Sequence, residues 1–202
     1  NMETFARLIT VIAVPLGILN MFGGIVSGIW LAILGEWGII GYGILALMVS
    51  GIGLGLAMAP GLIFAGPAAV MLEKGHKLGG YFFGLLSTIY TVGVLSAWCI
   101  FVLIYFTKQA NADSIIPILI WSYGVATGPI VWLAQKELQS GNEYAMITTF
   151  FIEVAYIITI LAILFTNVSI LNVMYIFGIV MCIGLIVQFS AAYLVQKSQV
   201  YY

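Results

Sequence analysis

The chain contains 202 residues, of which 63% are hydrophobic and only 6% are charged, and its mean hydropathy is +1.19. Soluble domains carry about 25% charged residues, so this composition cannot cover a water-facing surface and indicates an integral membrane protein. The net charge of -1, with only six Lys and Arg residues, excludes the clustered basic surface that nucleic-acid binding requires.

Residues that usually hold metals or cofactors are rare in this sequence. Cys99 and Cys182 lie in apolar runs without CxxC spacing, so we expect both to be small buried hydrophobic residues. The sole histidine, His76, cannot supply paired haem ligands or a His-rich metal cluster. The sequence shows no constellation of nucleophile, base and metal ligand. We therefore predict no cofactor, no metal and no enzymatic activity.

Charged residues divide the apolar sequence into spans, because a transmembrane helix needs about 20 mainly apolar residues. A closed barrel would need short strands with alternating polarity, and that pattern is absent. No repeat or linker divides the chain, so we predict one all-α domain. Its predicted fold is a polytopic bundle of six transmembrane helices with an interrupted second helix. The predicted spans are about 8–34, 37–59 followed by 60–72, 78–107, 115–135, 144–165 and 170–195.

The second apolar stretch is too long for one straight crossing. Its roughly 36 residues would extend about 54 Å as one helix, whereas the hydrocarbon core is about 30 Å thick. Pro60–Gly61 and Gly66–Pro67 are the expected interruptions, because Pro removes a backbone donor and Gly relaxes the helical constraint. We predict a helix to about Ala59 and then a kinked, re-entrant or interface-lying segment to Leu72. The alternative is a proline kink in one long tilted helix.

The positions of Lys and Arg predict the orientation, because cytoplasmic loops carry an excess of these residues. With six spans, the two termini and the second and fourth connections share one side. That side holds Arg7, Lys74, Lys77, Lys136 and Lys197, and the other side holds Lys108 alone. We therefore predict that both termini are cytoplasmic. We expect the protein in a bacterial or archaeal cytoplasmic membrane, with membrane lipids as partners.

Glycine pairs recur at four-residue spacing. In lipid, helices associate through close van der Waals contact, and two Gly on one face let backbones approach. The pairs predict a compact bundle, and some of them can also serve a homo-oligomer interface. They are Gly24 and Gly28, Gly51 and Gly55, Gly80 and Gly84, and Gly124 and Gly128.

One acidic residue, Glu153, falls deep inside a predicted span, nine residues after Tyr144. A charge at that depth costs about 2.5–3.5 kcal/mol on insertion scales, so such side chains usually face the bundle interior or an aqueous path. No Lys or Arg lies at matching depth. We expect the carboxyl group to be protonated unless water or a cation reaches it.

Polar residues of the other spans fall at a depth comparable with that of Glu153 and predict a polar layer. They are Asn20, Ser50, Thr91, Thr127 and Cys182. Asn20 is of particular interest because its amide can both donate to and accept from a carboxyl group. The predicted ion or proton site comprises Glu153, Asn20, Tyr156, Thr149 and Thr127. Alternatively, these residues only join helices through hydrogen bonds.

Two functions fit this pattern. The first is a small channel or transporter that moves a proton, a cation or a small solute through the polar layer around Glu153. The interrupted second helix would then be its moving or coordinating element, because broken helices expose carbonyl groups that can hold ions. The alternative is a non-catalytic scaffold or subunit whose Gly-lined faces and buried polar residues serve assembly. The two differ in whether a cavity or water reaches the Glu153 carboxyl group.

Overall fold

A computed structural model describes the backbone of residues 2–140 and 144–199, and the side chains of Leu8, Val11 and residues 14–140 and 145–191. The described residues form seven α-helices and one short 3-10 turn, without a strand. The helices are α1 (Met2–Ile33), α2 (Trp37–Met58), α3 (Leu62–Glu73), α4 (Lys77–Thr107), α5 (Ile115–Gln139), α6 (Tyr144–Phe165) and α7 (Ile170–Gln199). The predicted all-α bundle is confirmed, since the described residues are 90% helical and include six segments that are long and apolar enough to cross a membrane.

The surface of the bundle is apolar along much of its length. Large hydrophobic side chains such as Met48, Ile63 and Ile186 are more than half exposed. In water a surface of this kind would drive aggregation, whereas lipid tails solvate it. Trp132, near the end of α5, is also exposed, and the Lys136 ammonium group lies 4.0 Å from the centroid of its ring. The chain is therefore an integral membrane protein.

The second span is interrupted where Pro60 stands. Helix α2 ends at Met58, Ala59–Gly61 form the 3-10 turn, and α3 continues from Leu62. The other predicted interruption, Gly66–Pro67, is wrong, because both residues lie inside continuous α3. A proline within a helix removes one backbone hydrogen bond, and a membrane helix tolerates that loss when neighbouring groups compensate for it.

Contacts with α4 show how the chain continues after the interruption. The Tyr90 hydroxyl donates to the Ala57 carbonyl at 2.7 Å, and the Ser87 hydroxyl donates to the Gly61 carbonyl at 3.3 Å. Residues further along the second span therefore contact residues that come earlier in α4. The segment after the turn runs antiparallel to α4, as expected for a kinked second helix and not for a re-entrant segment.

Helix α5 lies at the centre of the bundle and packs against α1, α2, α4 and α6. Half of its span is buried, the largest share among the six. Two indole N–H groups join it to its neighbours. Trp98 of α4 donates to the Ala126 carbonyl at 3.0 Å, and Trp121 of α5 donates to the Ile39 carbonyl of α2 at 3.2 Å. Both indole N–H groups are thus paired with backbone carbonyls of a neighbouring helix, so neither is left without an acceptor.

The glycine pairs of α1 and α5 lie at the interface of these two helices. A Cβ atom on Gly124 would lie 3.5 Å from the Cα atom of Gly24, so the two backbones approach closely. A Cβ atom on Gly28 would lie 3.2 Å from the Trp121 ring, and one on Gly128 would lie within 4 Å of side chains from α1 and α2. Of these four positions Gly28 is the most tightly packed, whereas a Cβ atom on Gly24 would meet no atom within 4 Å.

The remaining glycine pairs behave differently. A Cβ atom on Gly80 would lie 3.2 Å from the Ala68 carbonyl oxygen, so α3 and α4 pack closely there. At Gly51, Gly55 and Gly84 an added Cβ would meet no atom within 4 Å. The prediction that these three glycines pack helices within the chain is wrong. The four-residue spacing places residues on one helix face but does not show whether a neighbour covers that face.

Short connections join the helices. Gly35 and Gly75 both have a φ of 79°, a left-handed backbone conformation that Gly adopts without steric cost. The Asn111 amide donates to the Glu36 carboxylate at 3.4 Å and so joins the α1–α2 and α4–α5 connections. A six-span topology requires these connections to lie on the same side. The cytoplasmic location of the termini stays a prediction from the positions of Lys and Arg.

Gly43 provides a test of the α2–α5 contact. A Cβ atom there would overlap the Trp121 indole, whereas one at Gly41 would meet no atom within 4 Å. We expect Gly43→Ala to lower the free energy of unfolding by about 1–3 kcal/mol, because the displaced indole would strain the packing. Gly41→Ala, the matched control on the same helix, should be neutral or stabilising. Thermal unfolding in one detergent, followed by circular dichroism, compares them, and equal midpoints would contradict the contact.

Candidate functional site

Polar side chains from α1, α5 and α6 meet at the centre of the bundle. Glu153 of α6 and Thr127 of α5 are both 0% exposed, and Asn20 of α1 is 9% exposed. The Asn20 amide donates to the Thr127 hydroxyl, which itself donates to the Tyr123 carbonyl at 2.7 Å. The Glu153 carboxyl group lies close to the Thr127 hydroxyl. Three of the predicted site residues, Asn20, Thr127 and Glu153, thus lie together.

The carboxyl group of Glu153 lacks a well-formed hydrogen bond. The Tyr123 side chain is close to Glu153, Asn20 and Thr127. Nevertheless, both carboxyl oxygens and the Tyr123 hydroxyl are buried without a hydrogen bond of good geometry to any described residue. An unpartnered buried polar group costs about 1–3 kcal/mol, and more when it is charged. A small movement of Tyr123, an entering water or a cation would therefore stabilise the carboxyl group.

The electrostatic surroundings of Glu153 contain no cationic side chain among the described residues. Its titratable neighbours are Cys99, Tyr123 and Tyr156, which are uncharged in their protonated forms. The negative charge of an ionised Glu153 would thus have no counter-charge within the described part of the bundle. That the carboxyl group is protonated stays a prediction.

Tyr156 and Thr149 flank Glu153 on α6 and have different partners. The Tyr156 hydroxyl donates to the Ser122 hydroxyl of α5 at 2.9 Å, and both side chains are fully buried. The Thr149 hydroxyl donates to the Ala145 carbonyl of its own helix at 2.9 Å. Tyr156 therefore joins α6 to α5, whereas Thr149 lies on the wall of a cavity.

That cavity has a volume of about 480 Å³ and lies beside the 3-10 turn of the second span. It extends from Glu137, near the end of α5, to Thr149, and we call it the inner cavity. Thr149 lies about 6 Å along the α6 axis from Glu153, a little over one helical turn. The polar residues of its lining are Ser87, Thr88, Thr91, Glu137, Thr148, Thr149 and Gln188.

A second space lies in the opposite half of the bundle. This groove between α1, α2 and α5 has a volume of about 580 Å³ and extends from Trp37 to Asn20 and Gly128. Trp37 begins α2, at the end of the bundle opposite to Glu137, and we call this space the outer groove. Glu153 lines neither the inner cavity nor the outer groove. Asn20, Tyr123, Thr127 and Glu153 form what we call the central polar cluster, which lies between the two spaces.

The predicted polar layer is incomplete. Cys182 is exposed, so its predicted burial is wrong, because it lies on a face of α7 that no other helix covers. Ser50 is buried but donates to the Leu47 carbonyl of its own helix at 2.7 Å. Thr91 lines the inner cavity and donates to the Ser87 carbonyl at 3.0 Å. None of these three side chains has a hydrogen bond to Glu153.

Several polar residues of the site do not stand out in the sequence. Tyr123 precedes Thr127 by four residues, and this spacing on one helix face is a signal that could have identified it. Ser87 and Thr88 lie one turn before Thr91 on α4 and could be recognised in the same way. The amide of Gln188 was not predictable, because its place in the cavity depends on how α7 is rotated against α6.

The described residues bring together no group of three or more His, Cys, Asp or Glu side chains that could hold a metal ion. Comparison of the chain with protein families, with curated proteins and with solved structures finds no match. The function must therefore be argued from the site itself.

The Tyr156–Ser122 hydrogen bond provides a test of the central packing. In a double-mutant cycle with Tyr156→Phe and Ser122→Ala, we expect a coupling energy of about 0.6 kcal/mol, the average for hydrogen bonds between membrane helices. Unfolding equilibria in mixed detergent micelles supply the four free energies. Pairing Ser122→Ala with Tyr175→Phe, which changes an exposed tyrosine of α7, should give no coupling. Equal couplings in the two cycles would contradict this contact.

Proposed function

We propose that this protein is a small membrane transporter or channel that moves a proton, a cation or a small solute past Glu153. The observation that carries the proposal is the buried, unpartnered carboxyl group between the inner cavity and the outer groove. Carboxyl groups inside a membrane are costly and typically mark ion or proton pathways. The proposal assigns no catalytic step to the chain.

In this mechanism Glu153 exchanges a proton or holds a cation. Tyr123 and Thr127 supply hydroxyl groups beside it, and Asn20 connects this cluster to the outer groove. The Tyr123 hydroxyl can donate to a carboxylate or accept from a protonated carboxyl group, so it suits both states of Glu153. The Thr127 hydroxyl already donates to the Tyr123 carbonyl, so it can only accept from the protonated form. The carboxyl group thus has polar neighbours in either protonation state.

Passage requires a movement, because neither the cavity nor the groove reaches Glu153 in this structure. The interrupted second helix forms one wall of the inner cavity through Met58, Gly61 and Leu62. A proline break lacks a full set of backbone hydrogen bonds and is a typical position for helix bending. Bending at the 3-10 turn would extend the inner cavity towards Glu153 and so open the closed arrangement.

Glu153→Gln tests the mechanism, because the amide keeps the size of the side chain but cannot exchange a proton or carry a charge. We expect proton or cation flux into proteoliposomes to fall to the level of protein-free vesicles, and the pH dependence of flux to disappear. Glu73→Gln, which changes an exposed carboxylate at the end of α3, is the matched control and should transport like the unchanged protein. Undiminished flux in Glu153→Gln, at equal thermal stability, would remove Glu153 from the pathway.

The second candidate function is a membrane scaffold or subunit. It is favoured by the absence of contact between Glu153 and either space, and by the uncovered glycines Gly51, Gly55 and Gly84. Lipids or a second copy of the chain would then cover these glycines. Glu153→Leu separates the two functions: a scaffold should retain its stability and oligomeric state, because a buried polar group without firm partners is replaceable. A transporter should lose flux.

A further inference from the structure

We propose that the inner cavity binds a small amphipathic organic cation, namely a protonated primary amine with an apolar body. This inference rests on the proposed transport function and names the substrate class of that function. The donors and acceptors of the side chains that line the cavity point to this class.

Three threonines of the lining direct their protons away from the cavity. Thr88, Thr91 and Thr149 each donate to the carbonyl group four residues earlier in the same helix, at 2.9, 3.0 and 2.9 Å. A hydroxyl group has one proton and two lone pairs. Each of these side chains therefore offers a guest molecule an acceptor and no donor.

The other two hydroxyl groups of the lining are used in the same way. Ser87 donates to the Gly61 carbonyl at 3.3 Å, and Thr148 donates to the side-chain carbonyl of Gln188 at 2.9 Å. The NH₂ group of Gln188 is the one side-chain donor that the described lining has left. Acceptors therefore outnumber donors on the cavity wall.

The charge of the cavity lining also favours a cationic guest. Its one charged side chain among the described residues is the Glu137 carboxylate, and no Lys, Arg or His lines the cavity there. An ammonium group carries three N–H donors and a positive charge, so it matches a wall of lone pairs beside a carboxylate. A carboxylate or phosphate guest would meet oxygen lone pairs and a like charge.

The size and the apolar walls of the cavity indicate which body the ammonium group would carry. A volume of about 480 Å³ exceeds what a bare metal ion fills and lies within the range of small-molecule sites. Leu62, Val92, Leu95, Ile130 and Leu133 supply apolar lining. These side chains suit an alkyl or aryl body, while the hydroxyl oxygens contact the ammonium group.

Calorimetric titration of the 202-residue chain in nanodiscs tests the proposal. The probes are butylammonium, hexylammonium and phenethylammonium, each compared with the carboxylate of matching chain. We expect at least one ammonium probe to bind, and its matching carboxylate to bind at least about tenfold more weakly, because charge-assisted hydrogen bonds form only with the cation.

Paired variants test whether the hydroxyl oxygens are responsible. Thr91→Val combined with Thr149→Val keeps the shape of both side chains and should weaken ammonium binding by about tenfold. The matched control combines Thr107→Val with Thr159→Val, on the same two helices. Those hydroxyls also donate to carbonyls four residues earlier, at 2.6 and 2.7 Å, but do not line the cavity. The control pair should bind like the unchanged protein.

Three results would overturn the inference: no binding of any ammonium probe, equal binding of the carboxylates, or equal weakening in both variant pairs. Binding is measured without a gradient, so it is independent of flux. If ammonium probes bind as expected and the protein moves no solute, the transport function fails and the binding site stands. If the protein moves protons and binds no ammonium probe, the substrate class fails and transport stands.

Discussion

The lack of water in the hydrocarbon core is the constraint on which the rest of this structure depends. Every polar group inside the bundle must find its partner within the protein, because lipid tails offer none. The interruption at Ala59–Gly61 follows this rule, since Tyr90 of α4 donates to the Ala57 carbonyl just before it and Ser87 donates to the Gly61 carbonyl at its end. Thr88, Thr91 and Thr149 follow it by donating to carbonyls of their own helices, and Thr148 by donating to Gln188 of α7. Against this background the carboxyl group of Glu153 and the hydroxyl groups of Tyr123 and Ser96 are exceptions among the described residues. A buried polar group without a partner requires an explanation, such as local strain, a bound water or ion, or a functional role.

Close packing places Glu153 and Tyr123 at the centre of the bundle. The glycines of α1 and α5 let the two backbones approach, and this approach allows Asn20 to reach Thr127. Helix α5 contacts four neighbours and presents Tyr123 and Thr127 to the same interior face. The polar cluster is therefore a consequence of helix packing that only small residues permit. Its burial keeps Glu153 away from lipid and leaves it between two spaces that approach from opposite ends.

The inner cavity and the central cluster divide two tasks in the proposed transport function. The cavity wall has acceptor oxygens and apolar side chains, and on this chemistry we propose that it binds a cation with an apolar body. Glu153 lies about 6 Å further along α6 than Thr149 and supplies a group that changes charge. In the proposed function, a proton at Glu153 and an organic cation in the neighbouring cavity would affect each other's binding, because an ionised carboxyl group attracts the cation and a protonated one does not. The 3-10 turn borders the cavity through Gly61, so bending there would change the shape of the cavity.

The sequence by itself determined the membrane class, the six helical spans, the interruption at Pro60 and the position of Glu153 near the middle of its helix. These properties depend on local composition and on the thickness of the bilayer. Only the tertiary structure decided which helix faces are covered. Gly51 and Cys182 lie on uncovered faces, whereas Tyr123 lies beside Glu153 and Gln188 lines the inner cavity. In a soluble protein, hydrophobic periodicity shows which face of a helix is buried. In lipid both the interior and the exterior of the bundle are apolar, so that signal is lost and the rotation of each helix emerges only from its packing.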